Sequence, residues 1–351
     1  MWAKKALITV ARDMQNPDRS SGRSVMLKVH FTREDLLRTR LAPGPDPLWE
    51  VILSVNLLGN RDGQAVFDAW RVRTRSKLRH LPPEQIRLIR CLAPPCGDFP
   101  DFLTPPQAAH GLAAGVEAVL STPVPRIRQE LAVLPRLPMW TRPLIDGEPA
   151  ALRMLGQSLH AYYTCAVATR WQHIQALIDA DRGVRARAVL HGGVEAMLES
   201  FRPTLRWSRP VLEADYPVDR DLHLKGRGLL LIPSVFCWRT PVTLIDPDLT
   251  PILVYPVARG PQWWTGDHAG LRGGQALRRL LGESRAMALR AVEDGCTTGE
   301  LARRIGLASP TASQHATALR EAGLIASTRR GNTVIHTLTP LGVGVLAANR
   351  E

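Results

Sequence analysis

Apolar residues recur at helical spacing through much of the first half of the chain. Over residues 46–201 this pattern favours helices, which are interrupted by prolines and by the pair Gly192-Gly193. Ahead of this stretch, residues 26–31 alternate between apolar and polar positions as a strand does. Thr32 then begins a short helix with a capping-box pattern. The first part of the chain is therefore predicted to be mainly helical.

The pattern changes at Arg202. Short runs of branched and aromatic residues follow, each bounded by Pro, Gly or Asp, which is typical of strands. These runs are Gly228–Pro233, Val235–Trp238, Val242–Ile245 and Ile252–Tyr255. They predict a small antiparallel sheet, which the N-terminal strand near residues 28–31 could join.

The last part of the chain has a different periodicity. Thr297 and Glu300 form a capping box that starts a short helix, and Gly306 ends it. Ser309-Pro310 is predicted to start a second helix, with Ser309 as the N-cap and Pro310 as its first residue, and Gly323 ends it. Two helices joined by about three residues, the first ending in glycine, predict a helix-turn-helix.

The helix-turn-helix is flanked by further elements. Leu324–Thr328, Arg329–Asn332 and Thr333–Leu338 read as strand, basic turn and strand, which together predict a wing. Thr339-Pro340 starts a last helix that runs to about Asn349, and apolar spacing predicts a helix over residues 276–292 upstream.

Two segments carry a resemblance to a known family. "TTGELARRIGLASPTASQHATALREAGLI" and "RRGNTVIHTLTPLG", within residues 297–342, resemble the ArsR-type winged helix. The resemblance implies a DNA-binding transcriptional regulator, a repressor in our interpretation. The chain departs from the metal-sensing members, because it carries only Cys296 near the first helix and lacks their Cys-x-Cys ligand pair. We therefore expect no metal and no cofactor.

The upstream region carries a second resemblance. Segments such as "VHFTREDLLRTRLAPGPDPLWE" and "GRGLLLIPSVFCWRTPVTLIDPDLTPILVYPVARG" resemble a domain of uncharacterised role that precedes ArsR-like helices in regulators from GC-rich bacteria. The expected fold class is α+β, with a mainly helical N-terminal domain, a small antiparallel sheet and a C-terminal winged helix-turn-helix domain. The expected divisions are a disordered leader at 1–25, a regulatory or dimerisation domain at 26–260, a linker at 261–274 and the DNA-binding domain at 275–351.

The second helix of the motif is expected to enter the major groove of duplex DNA. Gln314 can bond bidentately to adenine, and the small polar residues around it can reach phosphates or base edges. The wing contributes basic side chains for the DNA backbone. The predicted DNA-binding residues are Arg303, Arg304, Ser309, Thr311, Ser313, Gln314, His315, Arg329, Arg330 and Asn332.

Composition modifies this interpretation only slightly. The chain has 40 arginines and 5 lysines and a net charge of +13, which favours a polyanionic partner but also arises from GC-rich coding. The number of cysteines is odd, five, which favours a reducing compartment over a disulfide framework. No apolar run is long enough for a membrane helix, so we expect a cytoplasmic protein. We expect double-stranded DNA as the partner, a homodimer, and an effector of unknown identity.

Other functions have weaker support in the sequence. The pair Cys91 and Cys96 lacks a second ligand pair at zinc spacing, and neither a nucleophile elbow nor a phosphate-binding loop is found. An enzyme with an accessory DNA-binding domain is therefore disfavoured. A DNA-binding architectural protein that needs no effector stays open as an alternative.

Overall fold

The computed structural model describes residues 25–132, 134, 137–244, 246, 249–259, 263, 277–293, 295–330 and 333–347. Contacts divide the chain into two compact units, the first ending at Pro261 and the second beginning at Gln262. The predicted leader and linker lie outside the described residues, except for Val25 and Trp263. No helix within the described ranges combines the length and the apolar character needed to cross a membrane.

Helices dominate the first unit, as the apolar spacing predicted. Several begin with proline in the first turn, where its missing N–H costs nothing. Their bounds are α1 Arg33–Arg38, α2 Pro47–Gly59, α3 Gln64–Leu78, α4 Pro83–Leu92, α5 Leu112–Leu120, α6 Val124–Leu131, α7 Arg142–Ile145, α8 Pro149–Ala166 and α9 Trp171–Glu199.

Local signals set several helix boundaries. The capping box at the start of α1 is confirmed, since the Thr32 hydroxyl accepts from the Asp35 amide at 3.2 Å and the Asp35 carboxylate accepts from the Thr32 amide at 2.8 Å. The predicted break at Gly192-Gly193 is also confirmed inside α9, where Gly193 has a φ of 71°. Helix α2 is buried over almost its whole length and forms the centre of the helical core.

The first of two sheets contains the N-terminal strand. Its strands are β1 Met26–His30, β3 Leu205–Ser208, β4 Val211–Asp215 and β5 Arg220–His223, in the order β3-β4-β1-β5. Strand β1 runs antiparallel to β4 and parallel to β5. Leu27 and Val29 lie opposite Ala214 and Leu212 and are buried with them, so alternate positions of β1 face the core.

The second sheet contains β2 Arg40–Leu41, β6 Leu230–Ser234, β7 Val242–Thr243 and β8 Ile252–Pro256, in the order β2-β6-β8-β7. The prediction of a single small antiparallel sheet is wrong. Strand β6 is parallel to both of its neighbours, and only β7 is antiparallel to β8. Residues 235–251 separate β6 from β8, a connection long enough to cross over and return in the same direction.

The run Val235–Trp238 is not a strand, contrary to the prediction. Its first two amides, of Val235 and Phe236, donate to the carboxylate of Glu50 at 2.9 and 3.0 Å, so they are not available to a sheet partner. The Ser234 hydroxyl donates to the same carboxylate at 3.0 Å. Glu50 is fully buried on α2, and burial, opposed by these donors and by the charge of Arg259, raises its pKa to about 7.

In the second unit, the described residues 277–281 form a helical turn. Gly282, with a φ of 83°, separates this turn from α10 Glu283–Ala291, so the predicted single helix over 276–292 is interrupted. The remaining elements are β9 Cys296–Thr297, α11 Thr298–Ile305, α12 Ser309–Glu321, β10 Ile325–Arg330, β11 Thr333–Leu338 and α13 Pro340–Ala347. One apolar core joins them, built from leucines and alanines of every helix.

Candidate nucleic-acid interface

Helix α11 is fixed at both ends by backbone chemistry. The Thr297 hydroxyl accepts from the Glu300 amide at 3.2 Å, and the Glu300 carboxylate accepts from the Thr297 amide at 2.8 Å, which confirms the capping box. Gly306 ends the helix with a φ of 67°, a conformation that costs glycine little. The apolar side chains of Leu301 and Ile305 are buried, so α11 is held against the core of the unit.

Helix α12 has one buried and one exposed face. Ala312, Ala316 and Leu319 are buried, as their spacing predicted. Ser313 and Gln314 lie on the opposite side and are exposed. This outward pair presents a hydroxyl and an amide, which are groups that bond to base edges in the major groove.

The other residues predicted on α12 lie at the margins of this exposed face. Thr311 and His315, one turn apart, are half-buried, and Ser309 is exposed at the start of the helix. Thr317 was not predicted; it is half-buried and follows Gln314 by three residues and Ser313 by four. That spacing places the three side chains on one helix face and was a signal present in the sequence.

The start of α12 differs from the prediction. Ala308, not Ser309, is the N-cap: its backbone is extended, with φ −66° and ψ 146°, and its carbonyl accepts from the Ala312 amide at 3.0 Å. Alanine has no side-chain acceptor, and among the described residues no side-chain hydrogen bond caps the start of this helix. Pro310 has no N–H, so the amides of Ser309 and Thr311 are the first-turn donors that remain for an external acceptor.

The wing is a three-stranded antiparallel sheet in the order β10-β11-β9. The predicted pair of strands is confirmed, with Ile325 opposite Leu338, but Arg329 and Arg330, predicted in the turn, belong to β10, where Arg330 lies opposite Thr333. The Arg329 side chain is exposed near the end of β10. Of the other predicted wing residues, Arg330 lies in β10 but its side chain is outside the described part, and Asn332 is outside the described residues altogether.

Strand β9, only two residues long, was missed by sequence reasoning. It pairs with β11, where Cys296 lies opposite His336 and Thr297 opposite Ile335. His336 is buried, with the Thr298 hydroxyl 3.0 Å from Nε2 and the Ser327 hydroxyl 2.8 Å from Nδ1. Burial, followed by the charge of Arg320, lowers the pKa of His336. A neutral imidazole therefore joins the wing to the start of α11.

The two arginines of α11 have different surroundings. Arg303 is exposed. Arg304 is also exposed, but its Nη1 donates to the Ala291 carbonyl at 2.6 Å, at the end of α10. That bond holds Arg304 against the unit, where a cation at a helix C-terminus is favourable.

Comparison with known families agrees with this geometry. The family model for winged helix-turn-helix DNA-binding matches residues 288–326, from within α10 through both helices of the motif to the start of the wing. The second unit therefore contains a winged helix-turn-helix DNA-binding domain. Neither the comparison with curated proteins nor the comparison with solved structures gives a match.

Proposed function

We propose that this protein is a sequence-specific transcriptional regulator of the ArsR type, a repressor that acts in the cytoplasm. The observation that supports this most is the exposed pair Ser313 and Gln314 on α12, opposite the buried face of the same helix. With α12 in the major groove, these side chains reach base edges, and Arg329 and Arg330 of the wing reach the backbone. Residues 275–351 contain ten arginines and six acidic residues, so the net charge of this region also favours DNA.

The proposed assembly is a homodimer, because one recognition helix reads few base pairs and two-fold pairing extends the site. Two large apolar side chains support this proposal. Leu280 is 79% exposed in the turn before α10, and Leu341 is 57% exposed on α13. Both leucines are apolar surface that association with a second copy would cover.

Footprinting on the DNA upstream of the gene tests the proposed function. At about 150 mM salt, we expect one discrete protected region, because base contacts survive at a salt concentration that weakens phosphate contacts. The double variant Ser313→Ala, Gln314→Ala should lose this footprint. Glu321→Ala, at the exposed end of the same helix, should retain it. Only diffuse binding that disappears with salt would contradict the proposal and favour an architectural protein.

Light scattering tests the dimer. The protein should have twice its chain mass in solution, and Leu341→Asp should reduce the mass to that of one chain. Leu37→Asp is the matched control, since Leu37 is an exposed leucine of the first unit. A single-chain mass both free and on DNA would contradict the proposed dimer while leaving DNA binding unaffected.

A further inference from the structure

A cavity of about 450 Å³ lies within the first unit, between the start of α4, the turn Met139–Thr141, helix α7 and the start of α8. Its volume is in the range of small-molecule sites, about 300–1,000 Å³. Leu88 and Leu144 are buried in its wall. Trp140 and Met154 also line it, yet they are 42% and 37% exposed. An indole and a thioether thus offer uncovered apolar surface to an occupant.

Three charged side chains line the same cavity. They are two carboxylates, Glu84 and Glu148, and one guanidinium, Arg87. Arg87 lies 5.4 Å from the centroid of the Trp140 ring, so the indole already attracts one cation. Neither carboxylate forms an ion pair with another residue that the structure describes. The excess of negative charge here contrasts with the net charge of +13 on the whole chain.

We infer that this cavity binds a hydrophobic organic cation with an aromatic body. Its aromatic part would cover Trp140 and Met154, and its charged centre would lie beside Glu84 and Glu148. Binding would remove apolar surface from water and pair two carboxylates that form no ion pair with a described residue, so shape and charge favour the same class of ligand. This inference rests on the proposed function in one respect: it assigns a chemical class to the signal that the regulator senses.

Calorimetric titration of the full chain with tetraphenylphosphonium and tetraphenylborate tests the inference. The two ions have the same shape and opposite charge. A cavity with excess carboxylate should bind the phosphonium about tenfold more tightly or better, which corresponds to about 1.4 kcal/mol. Non-specific attraction to a chain of charge +13 would instead favour the borate. Equal binding of both ions, or tighter binding of the borate, would overturn the inference.

Variants that preserve side-chain shape separate charge from packing. The double variant Glu84→Gln, Glu148→Gln should weaken phosphonium binding about fivefold or more, whereas Glu117→Gln, an exposed carboxylate of α5 outside the cavity, should not. Arg87→Gln should strengthen binding, because it removes a like charge and uncovers the indole. An Arg87→Gln protein that binds less tightly, or a double variant that behaves like the control, would also overturn the inference.

The titration uses no DNA, so its outcome is independent of operator binding. A protein that gives a discrete footprint but binds no phosphonium retains the proposed function and loses this inference. A protein that binds phosphonium in the expected charge-dependent way but gives no footprint retains the cavity and loses the proposed function. If both hold, adding phosphonium should shift the midpoint of operator binding, and Glu84→Gln, Glu148→Gln should reduce that shift.

Discussion

Nε2 of His336 lies 3.0 Å from the hydroxyl of Thr298. The first residue of α11 is thereby linked to the second strand of the wing, across 38 positions of sequence. The other ring nitrogen is bonded to the Ser327 hydroxyl on the neighbouring strand, so the imidazole lies between two hydroxyls. The buried ring therefore adds a side-chain link between the wing and α11 to the backbone pairing of β9 with β11.

This arrangement predicts that the second unit loses stability in mild acid. Burial and then Arg320 lower the pKa of His336, so the folded unit binds a proton less readily than the unfolded chain. The contribution of neutral His336 to the stability of the unit is fully present above its ordinary pKa of 6.5 and is lost as the pH falls below that value. Hydrogen exchange, measured separately for the two parts of the chain, should show weaker protection of wing amides at about pH 5.5 than at about pH 7.5. These two values lie about one pH unit below and above 6.5.

Two substitutions identify the source of this pH dependence. His336→Gln retains groups that can bond to both hydroxyls but does not titrate, so it should abolish the acid-induced loss of protection. His160→Gln, an exposed histidine on α8 of the first unit, should leave it in place. If His336→Gln retains the full pH response, another group is responsible.

Gln314 and Arg329 are expected to act differently on DNA. Removing a bidentate base contact with Gln314→Ala should cost about 1–3 kcal/mol and relax the preference at one base pair. Removing a wing charge with Arg329→Ala should weaken binding to every sequence alike and reduce the slope of affinity against salt by about one unit. Selection from random DNA, together with a salt titration, measures both effects. If Gln314→Ala leaves both the affinity for DNA and the preferred base sequence unchanged, Ser313 and Thr317 become the candidates for base contacts.

Two glycines of α13 should respond oppositely to alanine. A Cβ on Gly342 would lie 2.0 Å from the Leu324 carbonyl oxygen, a backbone atom that cannot move aside cheaply, whereas a Cβ on Gly344 would meet nothing within 4 Å. Gly342→Ala should therefore displace the last helix, at a cost of about 1–3 kcal/mol as for overpacking in a core. Gly344→Ala should stabilise the unit by about 0.5–1 kcal/mol through helix propensity. Denaturant unfolding compares the two, and equal effects would contradict the observed packing of α13.

Glu50 predicts the opposite pH dependence for the first unit. Burial raises its pKa from 4.5 to about 7, so the folded state binds a proton more readily than the unfolded chain. This contribution is fully present below pH 4.5 and is lost as the pH rises through about 7. Glu50→Gln should reduce that slope, whereas Asp46, whose pKa burial also raises to about 7, should retain its own contribution. The amide of the introduced glutamine places N–H groups opposite the Val235 amide, which should lower stability by about 1–3 kcal/mol. Glu117→Gln, with an exposed side chain, should retain the slope, and a wild-type protein without it would contradict the prediction.

Features set by nearby residues could be predicted from the sequence. The two capping boxes, the break at Gly192-Gly193 and the end of α11 at Gly306 each depend on a few neighbouring residues. The buried face of α12 followed from spacing alone. The exposed reading face could be predicted for the same reason, since a helix with one known buried face has only one opposite face.

Features set by distant pairing could not be predicted. Strand β1 joins a different sheet from β6, and the parallel pairing of β6 with β8 depends on a connection whose path the local pattern does not encode. Val235–Trp238 has strand composition, but Glu50, far earlier in the chain, takes its amides. Strand β9 has two residues, too few for a periodic signal, and exists because β11 lies beside it.

Ala308, the N-cap of α12, is expected to affect the stability of the free protein and its affinity for DNA in opposite directions. Asp at position 308 would accept from the first-turn amides and stabilise the free protein by about 0.5–2 kcal/mol. The same carboxylate would occupy the place of a DNA phosphate and repel the duplex. Ala308→Asp should thus raise the melting temperature and weaken operator binding in the same molecule. With alanine there, we expect a DNA phosphate to complete the hydrogen bonding of the helix, so that part of the stability that the free domain lacks is recovered as affinity for DNA.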